Sequence, residues 1–571
     1  MKALTNFFRF SKAKLSRINL PIIKNIKHFT MKRDISPQIR LNETEHQIQK
    51  LLMEYCSHYN KLRGKQEHLV LRVTGGWVRD KLLGKESNDL DIAINHLSGQ
   101  EFVTDLQKYL DSVHPEHRLD SFHLIKKNPE KSKHLETCTT KLFGLEVDFV
   151  NLRSEKYSSD SRVPEIEFGT AEEDAYRRDA TLNSLFYNLN ENKVEDFTGK
   201  GFEDLKNGIL RSPLPALSTF LDDPLRVLRM IRFACKFDFT IEKNTLEAMK
   251  NPEIKIALEN KISKERVRVE LEKILGSPNT VYGLTIINHV GLTKSVFSLG
   301  SLYGHIVKLN EPLLIAHIDS ISASLPQRIN EVTSSLPVLK QHLSELSPSE
   351  IKNEFEKILD GRQSQVLLWL CIILQPFSLT TIRANPRKAL PVNFVDFLLK
   401  NSLTFSRNEA ETVSNIVNAS EVARSQLEEI LKNPNGISRS EFGFYLKMFG
   451  ENSSLNLVLN CWNDCIKLLK GSSLLEKPNV LSPQCLLETS QISQVIEKYN
   501  NIFNNIIARD LRYVDKLKLM IDGKSLSSIL NKKPGPWLGK VNQKIMGWQL
   551  DNPKASLVEC EQYVKLLDTN L

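Results

Sequence analysis

The chain has 571 residues, 41% hydrophobic and 25% charged, enough apolar material for several packed domains and too much for a chain disordered overall. Lys and Arg number 77 against 68 Asp and Glu, a net charge of +9 that leans towards a polyanionic partner without excluding a basic protein that binds none. The eight cysteines are scattered, which argues against a zinc site and for a reducing compartment, and no apolar run reaches the roughly 18 residues of a membrane span.

From Met1 to Arg33 the chain carries basic residues and no acidic one, interleaved with Phe7, Phe8, Phe10, Leu15 and Ile22. This predicts a mitochondrial presequence within residues 1–40, and Met31 offers a second start giving a cytoplasmic and nuclear form; a plain basic arm is the alternative. From about 41 to 190, β-rich runs (LRVTGG, LDIAI, LEVDFVNL) alternate with helical ones, and beyond about 215 the periodic stretches are helical. The expected class is α+β: a mixed-sheet head with helices at 41–190, then an all-helical neck (191–275), body (276–440) and tail (441–571).

The stretch VTGGWVRDKLLGKESNDLDIAI, residues 73–94, is the first with chemistry in it. A strand ends in Gly75 and Gly76, where backbone turns tightly and amides can face an anion, and Arg79 follows in the first turn of a helix. On the next strand Asp89 and Asp91 are two residues apart and so share a face. Either half alone is weak, since a Gly-Gly pair is usually only a turn and Asp-x-Asp usually a solvated edge. Together they fit two-metal phosphoryl transfer by an enzyme that handles a nucleoside triphosphate. Asp148, on the strand EVDFVNL, is either a third metal-side carboxylate or an aspartate with a structural partner.

GGWVRDKLLG with DLDIAI resembles the nucleotidyltransferase signature of the polymerase-β-like superfamily, in the form found in class II CCA-adding enzymes of eukaryotic type. EEDAYRRDATLNSLFYN, residues 172–188, is similar to that family's RRD-x-T-x-N-A motif with Ser184 for alanine. The resemblance implies that Arg178, Asp179 and Asn183 hold the sugar and phosphates of the nucleotide; an ion pair at a helix start is the plainer reading. Between these blocks, the resemblance assigns the polar stretch Arg153–Glu165 to a mobile element that places the growing 3′ end. VEDFTGKGFEDLKNGILR resembles a hinge motif joining head and neck.

FLDDPLRVLRMIRFACKF, residues 220–237, matches the family's E/D-D-x-x-R motif at Asp222, Asp223 and Arg226. Cytosine and adenine share an amino donor beside a ring-nitrogen acceptor, which a carboxylate and a guanidinium can pair in one plane, so Asp223 and Arg226 would select CTP and ATP without a template. Asp223 before Pro224 is equally a good helix start. Arg229 and Arg232 extend a stripe suited to the triphosphate, and Asp222 would orient Arg226 or share the capping. SKERVRVELEKIL resembles the ER-x-x-x-E helix, in which Glu265, Arg266 and Glu270 brace the base-reading pair or form an exposed charge ladder. In the tail, Lys532, Lys533 and Lys540 with Trp537 and Trp548 suit an RNA backbone, and would look much the same as a solvated face beside core tryptophans.

The resemblance covers roughly residues 68–275. It implies addition of C-C-A to the 3′ end of tRNA from CTP and ATP, with Mg²⁺ held by Asp89 and Asp91 as the catalytic pair, contacts to the tRNA 3′ end and acceptor region, no membrane and a monomer. A bacterial-type poly(A) polymerase is the alternative, and a non-catalytic RNA-binding relative a further one.

Overall fold

A computed structural model describes residues 33, 35–61, 63–64, 67–117, 119, 122–125, 137–156, 164–387, 390–419, 421–470 and 483–567; the leader up to Lys32, on which the targeting expectation rests, lies outside them. Two compact units divide the chain, one ending at Val296 and the other beginning at Phe297. The expected head and neck therefore share a single unit.

That unit is built on a seven-stranded sheet of order β3-β4-β5-β2-β1-β8-β9. Its strands are β1 (Leu71–Thr74), β2 (Leu90–Ile94), β3 (Phe122–Ile125), β4 (Thr137–Leu142), β5 (Leu145–Asn151), β8 (Phe186–Asn188) and β9 (Lys193–Glu195). All neighbours are antiparallel except β2 and β5, which run parallel. On one face Leu71, Val73, Leu90, Ile92, Ile94, Val147 and Phe149 are buried. They are covered by α1 (Glu43–Lys61) and α3 (Gly99–Val113): Phe102 of α3 packs on Phe149 at 4.8 Å, and Tyr55 of α1 meets Phe102 edge-on at 5.4 Å. A capping box of Ser98 and Glu101 starts α3. Gly99 must be glycine there, because a Cβ would collide with the Phe149 carbonyl. Between β1 and β2 lies the short helix α2 (Gly76–Leu82).

The opposite face is covered by α4 (Ala171–Tyr176), whose Ala171 and Ala175 pack with Ala93, Leu152 and Phe186. The polar stretch after β5 departs from the loop expected there. Residues Arg153–Lys156 (β6) pair antiparallel with Glu165–Phe168 (β7), and 157–163 lie outside the described residues. The ribbon carries little hydrophobic period because it is held by ladder bonds and by charge pairs such as Lys156 with Glu167 at 2.8 Å, so pattern reading missed it.

The neck follows α5 (Gly201–Asn207) with α6 (Ala216–Asp222), α7 (Leu225–Phe237), α8 (Lys264–Leu275) and α9 (Thr280–His289). It is not all helix: β10 (Ile209–Leu210) pairs in parallel with β11 (Thr240–Ile241), where Asp238 turns the chain at φ 56° after α7. Among its described residues the second unit is helical apart from a ribbon of Thr381–Ile382 with Val392–Asn393. Its core includes Trp369 and Trp462, edge-to-face at 5.4 Å. Among the described residues no helix is long and apolar enough to cross a membrane, and the described cysteines, Cys461 and Cys465 included, are buried and free.

Candidate active site

The sheet register sets the acidic residues side by side. Asp91 of β2 stands directly opposite Asp148 of β5 and, on its other side, opposite Thr74 of β1. Directly opposed residues project to the same face, so one row holds both carboxylates. Asp89 lies just before β2, exposed, with its amide donating to Ser87 Oγ at 3.4 Å. Burial, with Asp89 and Asp148 close by, pushes the Asp91 carboxyl up to about 7, and Arg178 opposes this. Asp148 accepts from Thr139 Oγ1 at 2.5 Å, so its structural partner is found and its place beside Asp91 as well.

The turn that follows β1 needs its glycine. Gly75 has φ 73°, and a Cβ there would sit 3.6 Å from Arg178 Nη1 and 3.8 Å from Asp91 Oδ2. Gly76 begins α2. Arg79 is buried; Nη1 donates to Asn183 Oδ1 at 2.6 Å, Nε to Asp80 at 2.8 Å, and the guanidinium lies 4.7 Å from the Phe237 ring. Its guanidinium is thus held by Asn183, Asp80 and the Phe237 ring.

Asn183 passes this bracing on by donating to Asp179 Oδ1 at 2.8 Å, and Asp179 Oδ2 accepts from Arg229 Nε and Nη2, both at 2.7 Å. Burial alone would raise the Asp179 carboxyl, but Arg229 and Asn183 override it and hold the group well below the carboxylate range. Arg178 donates to Asp174 through Nε and Nη2 and to the Asn183 carbonyl through Nη1, and stands 5.0 Å from the Phe186 ring.

In the neck Asp223 Oδ1 accepts the Leu225 amide at 3.2 Å, a bond of the capping kind, while the N-cap position itself falls on Pro224 rather than on Asp223 as expected. Oδ2 pairs with Arg266 at 3.2 Å, while Arg226 points elsewhere, donating to the Arg177 carbonyl at 2.8 Å and standing 3.8 Å from Glu155. Asp223 and Arg226 are thus adjacent without being paired to each other. Burial raises the Asp222 carboxyl, and Arg226 and Lys261 pull it back. Arg232 binds Glu270 at 2.5 Å, so the three arginines of the stripe are each engaged with protein acceptors. Of the ER-x-x-x-E residues, Arg266 ties α8 to Asp223 just before α7, buried Glu270 ties it to Arg232 of α7, and Glu265 is exposed.

One cluster was not anticipated. Buried Asp174 binds Arg177 at 2.6 Å and Arg178 at 2.7 Å, while Glu155 of β6 binds Arg177 at 3.1 Å and Arg153 at 2.7 Å. The Asp174 pairs lie at helical i,i+3 and i,i+4 spacing and were legible; Glu155 reaches its partners only through the fold. Burial pushes the Asp174 carboxyl up, but Arg178 and Arg177 outweigh it and hold the group at about 2. The folded value lies below the unfolded one, so the stabilisation is present above pH 4 and is lost as pH falls through 2. A shift of roughly two units corresponds to about 2–3 kcal/mol. Asp174→Asn is therefore expected to cost that order of stability at pH 7, with the gap to the unaltered chain closing towards pH 2, as urea unfolding at several pH values would show; a gap independent of pH would contradict the pairing.

In the tail Trp537 is a core residue, packed with Ile521, Leu526, Val541 and Ile545 and donating to the Lys533 carbonyl at 2.8 Å. Trp548 stacks on Tyr563 at 5.1 Å, Lys533 and Lys540 are exposed, and Lys532 Nζ is 5.8 Å from the Trp537 ring. The core alternative holds for Trp537, leaving the lysines as the surface feature.

Residues 71–211 match the family described as "Poly A polymerase head domain", and 238–300 the family "Probable RNA and SrmB- binding site of polymerase A". The mitochondrial CCA tRNA nucleotidyltransferase of Saccharomyces cerevisiae is 41% identical over 547 residues, covering 93% of this chain and 94% of that protein. Its namesake from Candida glabrata is 41% identical, covering 94% and 97%. In fold, the chain is similar to the Bacillus stearothermophilus CCA-adding enzyme in complex with CTP, at TM-score 0.52 and 16% identity, covering 92% of this chain and 97% of that one.

Proposed function

We infer the activity from one premise: the chain belongs to the family of CCA tRNA nucleotidyltransferases. It adds C-C-A to the 3′ end of tRNA, drawing on CTP and ATP and releasing pyrophosphate. The observation that carries this reading is the row of Asp91 and Asp148 beside the Gly75 turn, with Asp89 next to it, in a head that matches a nucleotidyl-transferring family.

The donor set fits a divalent cation. Asp91 lies among like charges, and among the described residues no side chain bonds to its carboxylate. Two carboxylates suit Mg²⁺, an ion that keeps waters and takes substrate phosphate oxygens beside one or two carboxylates. Asp89 and Asp91 would hold it, with Asp148 next in the row. When bound, the cation lowers the pKa of the attacking 3′-hydroxyl and neutralises charge on the triphosphate. The chain supplies position: Gly75 and Gly76 let the backbone approach the phosphates, Arg178 lies across that turn, and Asp179 with Asn183 offers oxygen acceptors to the ribose.

Base choice falls to Asp223 and Arg226, which exchange their present partners, Arg266 and the Arg177 carbonyl, for the edge of cytosine or adenine. Each mispaired buried group costs roughly 1–3 kcal/mol. Asp223→Ala is accordingly expected to cut the preference for CTP over UTP by roughly 10- to 100-fold, read as the ratio of kcat/KM values. An unchanged ratio would remove Asp223 from base reading.

Exposed Lys533 and Lys540, with Lys532, are proposed contacts to the tRNA backbone, and the working form is proposed to be a monomer. The presequence composition, together with the names of the two fungal relatives, supports a mitochondrial location, with the cytoplasm and nucleus served by a form starting at Met31. The head family's name keeps one second reading in view, a poly(A) polymerase. Single-nucleotide assays on tRNA ending at the discriminator base separate them: CTP alone should add two residues and ATP alone should not tail, whereas a long A tract from ATP would favour the second reading.

A further inference from the structure

The register places Thr139, Asp148, Asp91, Thr74 and Phe186 in one row across five strands. At one end the pairing is explicit, since Thr139 Oγ1 donates to Asp148. At the other, Thr74 stands directly opposite Asp91 and is only 4% exposed, and its Oγ1 has no hydrogen-bond partner among the described residues. A buried hydroxyl left unbonded is costly. Were the position only a packing site in a strand, valine would fill the same space without that cost. Of the two neighbours of Thr74 in the row, Phe186 offers a ring and Asp91 offers carboxylate oxygens. An O–H beside a carboxylate has a natural role as donor to it.

We propose that Thr74 is a positioning residue for the cation site: its hydroxyl donates to one oxygen of Asp91, as Thr139 does to Asp148, and leaves the other oxygen for a divalent cation. The proposal rests on the reading of Asp91 as a metal ligand. Thr74 touches neither the nucleotide nor the reacting atoms; it fixes how the ligand is presented, the part played by groups that orient metal ligands generally. The contact belongs to the cation-bound form.

The test measures Mn²⁺ binding to the full-length protein by electron paramagnetic resonance without nucleotide, and the Mg²⁺ midpoint of CTP incorporation at saturating CTP. Thr74→Val is expected to raise both midpoints by roughly tenfold, the usual scale for losing a group that orients a metal ligand. Thr74→Ser, which keeps the hydroxyl, is expected to stay near the unaltered values. Melting in EDTA should show Thr74→Val at least as stable as the unaltered chain, because the unbonded hydroxyl is gone. Unchanged Mn²⁺ binding in Thr74→Val overturns the proposal, as does a rise in KM for CTP with no change in metal midpoint, which would assign the hydroxyl to the nucleotide. Asp91→Asn distinguishes the two levels: if it also binds Mn²⁺ normally, the metal reading of Asp91 fails and the role of Thr74 falls with it. If Asp91→Asn loses Mn²⁺ and Thr74→Val does not, only the role of Thr74 falls.

Discussion

Asp91→Asn is expected to lower nucleotide incorporation by on the order of 10³-fold, since a ligand to a catalytic cation stands behind several kcal/mol of transition-state stabilisation. The fold should not suffer. Asp91 lies near Asp89 and Asp148, with burial raising its pKa to about 7, so neutralising it removes repulsion rather than a stabilising contact. Its melting temperature in EDTA is expected to match or exceed that of the unaltered chain, the pattern of a site that gives up stability for function. Binding of tRNA, followed by filter retention, should survive. A variant that incorporates CTP at a near-normal rate would remove Asp91 from the metal site.

Asp179→Ala should act in the opposite manner, losing stability as well as activity. Its carboxylate accepts Arg229 through two nitrogens and Asn183 through a third, and it is 7% exposed. Its loss leaves the buried Asn183 amide without an acceptor and Arg229 without its carboxylate, the latter screened because that side chain is 38% exposed, for a cost of roughly 1–3 kcal/mol. For a unit of this size that corresponds to a fall of roughly 2–12 °C in melting temperature. The double variant Asp179→Leu with Arg229→Met removes both charges and is expected to regain much of the stability, because the pair's desolvation cost goes with it. It should regain no activity, since the ribose contact proposed for Asp179 is gone with the carboxylate. Equal stability of Asp179→Ala and the unaltered chain, by calorimetry, would contradict the buried network.

Residues close in sequence were legible in proportion to their spacing. The alternation of LDIAI put Asp91 on the polar face of a strand, and the run of arginines three apart on α7 marked one helical stripe. What that stripe binds was not legible. Arg229 meets Asp179 across 50 residues, Arg232 meets Glu270 across 38, and Arg226 meets the Arg177 carbonyl across 49. Spacing identifies a face; only topology supplies the partner. The same limit hid Glu155, which lies in a polar stretch with no hydrophobic period, and left Asp148 undecided until the parallel pairing of β2 with β5 set it against Asp91. Thr74 escaped notice for a different reason: within LRVT it reads as an ordinary β-branched strand residue, and only its buried hydroxyl, without a partner among the described residues, sets it apart.

The central claim is that side chains of one unit both hold the triphosphate and choose the base, with no template. It is tested most directly by offering the protein tRNA ending at the discriminator base with all four nucleoside triphosphates at equal concentration, and sequencing the 3′ ends. The expected result is C-C-A on the extended molecules and then arrest. Ends carrying G or U, or a run of A, would contradict it.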